Sequence, residues 1–105
     1  MLLDMKIHFE VITPLGIKAR TTTEYWNYIV NVKHRTMEGK ESIVTETLID
    51  PYAIYRSRID QDVYLYYRKY DRIYCAVVRH SEYEGFLITA YPTDKIKEGE
   101  RIWRK

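Results

Sequence analysis

The sequence predicts an α+β fold: an N-terminal β-hairpin and two helices packed on a four-stranded antiparallel sheet. Three observations carry that expectation. Apolar and polar residues alternate near the start of the chain, apolar residues recur at helical spacing through residues 22–49, and the period returns to two from Tyr52 onward. The 105 residues suffice for one compact domain and are too few for two.

"MKIHFEVI" (5–12) sets Met5, Ile7, Phe9 and Val11 against Lys6, His8 and Glu10, the pattern of a half-buried strand. "TPLG" (13–16) is a turn signal, and "IKART" (17–21) returns as the second strand of a hairpin. Thr21 and Glu24 then have capping-box spacing. A helix from about Thr22 to Arg35 aligns Trp26, Ile29, Val30, Lys33 and Met37 on one face, and the glycine of "TMEG" terminates it. A shorter helix fits "KESIVTETLI" (40–49), with Ile43, Val44, Thr47 and Leu48 as its apolar stripe. Asp50-Pro51 stops it, because a residue before proline disfavours helical geometry. Strands follow at 53–59, 62–69, 73–80 and 86–91, the third apolar on both faces as a central strand would be. Short connections between the last of them imply antiparallel pairing.

Composition narrows the function. A formal charge of +2 permits contact with a polyanion without demanding it. The basic excess falls in the second half, where 11 Lys/Arg face 8 Asp/Glu. Cys75 is the single cysteine, which excludes an internal disulfide and any multi-thiolate metal site. No apolar stretch approaches the ~18 residues of a membrane span and no signal-peptide core is present, so the chain reads as cytosolic with no membrane partner. There is no phosphate loop, zinc-protease motif or dinucleotide fingerprint. His8, His34 and His80 lack carboxylates at ligand spacing, so neither a metal nor a cofactor is expected. Tyrosine is abundant, with eight of 11 lying between Tyr52 and Tyr83.

What remains is a polar constellation. His34, in "VKHRT", sits at a helix end between Lys33 and Arg35, about 40–80° off the apolar stripe. A helix C-terminal cation explains it plainly, and a general acid or base explains it equally. Arg56 and Ser57 in "YRSR" offer a planar fork and a hydroxyl for phosphate, or simply a charged sheet edge. Thr89, Tyr91, Thr93 and Lys95 alternate along "GFLITAYPTDK". With Phe86, Ile88 and Ala90 toward the helices, Leu87, Thr89 and Tyr91 face away, and Tyr64, Tyr66 and Arg68 are expected on that same far face. Such a surface contains the parts for RNA cleavage by the substrate's own 2′-hydroxyl.

"YWNYIVNVKH", "TLIDPYAIYRS", "VYLYYRKY", "YCAVV" and "EGFLITAYPTDKIKEGERIW" resemble the small phage and bacterial nucleases grouped with barnase, EndoU, colicin D and RelE. More narrowly they are similar to the phage-associated branch, over about Thr22 to Trp103. The resemblance implies helices on an antiparallel sheet and metal-independent ribonuclease activity. It also implies a toxin or mobile-element nuclease restrained by a cognate antitoxin or immunity protein. It assigns His34 as acid or base, Arg56 and Ser57 as phosphate contacts, and Thr89 as a transition-state donor. Geometry adds Lys33, Tyr66, Arg68, Tyr91 and Lys95 as substrate-binding candidates. Arg35 and Thr36 depart from the proline-containing stretch expected after the histidine. The competing expectation is a non-catalytic module that binds RNA or protein through a tyrosine-rich sheet face.

Overall fold

The computed structural model of the chain describes residues 6–96 and 99–105. Met5 of the expected first strand, and Lys97 and Glu98 of the C-terminal block, lie outside the described residues.

The hairpin forms as its pattern requires, from β1 (Ile7–Ile12) and β2 (Lys18–Thr22). Its turn is closed by Thr13 N–H donating to Ile17 O at 2.9 Å, with Gly16 at φ +78°, a left-handed conformation glycine adopts without steric cost. Helix α1 (Thr23–Tyr28) follows directly. Its cap is Thr22 rather than Thr21: the Thr22 hydroxyl accepts the Tyr25 amide at 3.1 Å, whereas Thr21 is fully buried. The expected long helix from Thr22 to Arg35 then changes character. Ile29–Lys33 is a π-helical turn closed by the His34 amide donating to Ile29 O at 2.8 Å, and Arg35–Met37 is a 3₁₀ turn. Helix α2 (Glu41–Ile49) matches its expected stripe, burying Val44, Thr47 and Leu48.

The sheet is the main correction. In place of a four-stranded antiparallel sheet with a separate hairpin, all strands join one seven-stranded mixed sheet with two short helices. Its order is β1-β2-β6-β5-β4-β3-β7, with β3 (Ala53–Arg56), β4 (Val63–Lys69), β5 (Ile73–Ser81), β6 (Glu84–Thr93) and β7 (Glu100–Arg104). Two pairings that leave no local trace produce the difference. The hairpin docks through a parallel ladder, Lys18–Arg20 against Glu84–Phe86. The charged C-terminal segment becomes an edge strand on β3, with Trp103 opposite Ile54. Unpaired backbone groups at a sheet edge favour such additions even where side chains show little apolar alternation.

Register sets the two faces. Ile54, Tyr66, Ala76 and Ala90 lie opposite one another across β3, β4, β5 and β6, all buried against Trp26, Val44 and Leu48 of the helices. Each large side chain buried there stabilises the fold by about 1.5–3 kcal/mol. The far face has its own smaller apolar cluster around Tyr67, Cys75 and Val77, flanked by half-buried Tyr55, Leu65, Ile73, Ile88, Tyr91 and Ile96.

Candidate functional site

The π turn decides where His34 goes. One extra residue in the turn shifts the chain relative to an α-helix, and His34 leaves it extended, at φ −145° and ψ 90°. Half-buried, its ring lies 5.2 Å from that of Tyr91. Lys33 accompanies it: the ammonium stands 5.7 Å over Tyr28 and donates to the backbone oxygen of Ile88 at 3.5 Å. These contacts are possible because β2 pairs with β6 only at Glu84–Phe86, which leaves the later part of β6 without β2 beside it.

A bulge in β6 completes the arrangement. Val77 pairs with Thr89 but Val78 pairs with Leu87, so Ile88 is the additional residue. Leu87, not Ile88, therefore joins Ala90 in the helix-side core, which corrects the expected phase upstream of Thr89. Thr89 and Tyr91 face away from the helices as expected. The Thr89 hydroxyl is buried without a hydrogen-bond partner among the described residues. Burial pushes the Tyr91 phenol well above the ordinary tyrosine value, with smaller contributions from the adjoining Cys75 and Tyr67. Tyr91 thus keeps its proton at neutral pH. Lys95 follows in an exposed turn, its amide 3.4 Å from the Thr93 hydroxyl, which in turn donates to Lys95 O at 3.0 Å.

Other expected site residues are elsewhere. Tyr66 lies opposite Ala76 and Arg68 opposite Tyr74, both on the helix side, whereas Tyr91 lies opposite Cys75 on the far side. The expectation that Tyr64, Tyr66 and Arg68 share a face with Thr89 and Tyr91 is therefore overturned. "VYLYYRK" carries rings on both faces, so alternation offers no polar side to orient the strand. Tyr66 is fully buried and presents no surface to a ligand. Arg68 is held by Asp50, at 2.6 Å to its backbone oxygen and 2.9 Å to its carboxylate, with its guanidinium 5.1 Å from the Tyr70 ring. Arg56, opposite Tyr64, stacks on that ring at 5.6 Å and donates to Gln61 O at 2.9 Å. The Ser57 hydroxyl accepts the amides of Ile59 and Asp60 at 3.2 and 3.3 Å and so organises its own loop. With β4 and β5 between their strand and β6, Arg56 and Ser57 are not brought to His34.

Two histidine clusters were not anticipated. His80 stacks on Tyr64 at 3.8 Å, and its Nε2 lies 3.0 Å from the Tyr66 phenol, which donates to Thr13 at 3.1 Å. Burial lowers the His80 pKa to about 4 and raises that of Tyr66 to about 12, so both are neutral at pH 7. His80 shares parity with Ala76 and Val78, a signal that could have placed it on the helix side. His8 bridges Glu41 at 2.8 Å and Thr23 at 3.4 Å while stacking on Trp26 at 5.9 Å, which ties the hairpin to both helices. Burial opposes the Glu41 charge, but hydrogen bonds from His8, its own amide and Trp26 outweigh it and leave the carboxyl below its ordinary range.

Among the described residues, no group of three or more His, Cys, Asp or Glu is placed to hold a metal ion, and no helix is long and apolar enough to cross a membrane. No family model, curated protein or solved structure matches the chain, so these residues themselves carry the functional reading.

Proposed function

We propose that the chain is a small metal-independent endoribonuclease whose site lies at the free part of β6 on the helix-free face. One observation carries the reading: the His34 imidazole stands 5.2 Å from the Tyr91 ring, beside a Thr89 hydroxyl that is buried without a partner. An imidazole is suited to take the 2′-hydroxyl proton of RNA. The resulting oxygen attacks the adjacent phosphorus, and the bond to the leaving 5′-oxygen breaks as that oxygen takes a proton from water. Tyr91 donates a hydrogen bond to a phosphoryl oxygen, where negative charge develops, and the half-buried Thr89 turns its unpartnered hydroxyl toward the same group when substrate binds. Lys33 and Lys95 add positive charge at the rim. Tyr91 is too weak an acid to give up its proton, so its part is hydrogen bonding.

The same reading makes the chain a cytoplasmic toxin or mobile-element nuclease, similar in kind to the phage-associated branch of the barnase, EndoU, colicin D and RelE group. A cognate antitoxin or immunity protein would then shield the helix-free face. Arg56 and Ser57 have no part in this version of the site.

The test is incubation of the purified chain with total RNA and tRNA, with and without ribosomes, in excess chelator. Fragments ending in 2′,3′-cyclic phosphate are expected. His34→Ala and Thr89→Ala should each cut at least about 100-fold more slowly while remaining folded. Intact RNA in every condition, or both variants cutting at the parent rate, would overturn the reading. Salt-dependent RNA binding without products would favour a binding module instead.

A further inference from the structure

A cleft of about 270 Å³ is lined by Tyr52, Arg68, Lys69, Ile73 and Ile96, of which Ile73 and Ile96 belong to the helix-free cluster. It does not contain His34. Its relation to Tyr91 follows from the register. Ile73 lies opposite Thr93 and Lys69, while Cys75 lies opposite Tyr91 and Tyr67. The two rows are therefore two residues apart along the strands, about 6.6 Å, comparable with the length of one nucleotide.

The cleft walls are chemically distinct. Tyr52 is 59% exposed, yet its backbone is fixed on both sides: its amide donates to Tyr67 O at 2.7 Å and its carbonyl accepts from Lys105 at 3.1 Å. An exposed aromatic ring on a rigid mount is suited to stacking. Ile73 and Ile96 supply an apolar surface, both half-buried in the far-face cluster. The charge of Arg68 is matched by Asp50, whereas exposed Lys69 makes no ion pair among the described residues. A flat apolar body carrying one anionic group fits this set.

We infer that the cleft is a nucleotide subsite, in which Tyr52 stacks on a base, Ile73 and Ile96 line the base pocket, and Lys69 holds a phosphate. This rests on the ribonuclease reading: the nucleotide bound here adjoins the one whose phosphate reaches His34, Thr89 and Tyr91. The base must be unstacked to enter, so the substrate is single-stranded.

The experiment titrates the full chain with adenosine and uridine 5′-monophosphates, adenosine and inorganic phosphate, read by amide chemical shifts. Tyr52→Ala and Lys69→Ala are chosen because both side chains are exposed. The monophosphates are expected to bind with shifts centred on residues 52, 69, 73 and 96, adenosine more weakly, and phosphate weakest. Tyr52→Ala should weaken the monophosphates about tenfold, and Lys69→Ala should abolish their advantage over adenosine. Equal binding of phosphate and nucleotide, or no effect of either variant, would overturn the subsite. The two readings separate. Nucleotide binding in the cleft without RNA cleavage removes the nuclease and keeps the subsite; cleavage with an unchanged KM in both variants does the reverse.

Discussion

Two half-buried histidines lie against phenols in this chain, at different places in the sheet. His34 is half-buried beside Tyr91, whereas His80 is packed under Tyr64 with its Nε2 at the Tyr66 phenol. His80 dictates a pH response. Its folded pKa, about 4, lies below the unfolded value near 6.5, so below pH 6.5 the unfolded chain binds more protons than the folded one. The stability it contributes is complete above about pH 6.5 and is lost progressively as pH falls toward 4. Denaturation midpoints measured from pH 7.5 to 4 should decline more steeply in the parent than in His80→Gln. Parallel profiles would show that His80 is not the titrating group. At this scale much was legible. Thr89 and Tyr91, two apart on a strand, must share a face, and "VKH" marked His34 as a helix-end residue. Tyr66 and Arg68 were misplaced because β4 is aromatic on both sides.

Elements meet most tightly at the junction of the hairpin with the sheet. Gly85 pairs with Ala19 in the parallel ladder, and a methyl group there would stand 2.7 Å from Val78 Cγ1 and 2.9 Å from Ile17 Cγ2. Both neighbours are buried, so neither has free space to yield. Gly85→Ala should cost about 1–3 kcal/mol, read as a lower urea midpoint at unchanged slope. An unchanged midpoint would mean that the ladder shifts to make room. The boundaries of α2, β4 and β5 were readable to within a residue, since the apolar pattern and the stop and turn signals agree locally. The π turn and the Ile88 bulge were not. Each is one surplus residue in an otherwise regular pattern, tolerated because the neighbouring packing of Ile29 and Leu87, both fully buried, holds it.

Across the whole molecule, one continuous sheet makes the hairpin a component rather than an appendage. Only three residue pairs join β2 to β6, but Phe9 and Val11 pack into the main core and His8 bridges to Glu41. Heating should therefore give a single calorimetric transition with matching calorimetric and van't Hoff enthalpies. An early, separate transition would show that the hairpin melts alone. Local patterning determined that this chain has a hairpin, a helical middle, a run of antiparallel strands and a polar set at His34, Thr89 and Tyr91. Periodicity and caps act over a few residues, and the sequence records them directly. The tertiary structure alone decided that seven strands form one sheet, that β2 runs parallel to β6, and that Arg56 and Ser57 stand apart from His34. Those outcomes depend on backbone pairing between distant segments, in which every residue type offers much the same amide and carbonyl, so side-chain pattern cannot announce them.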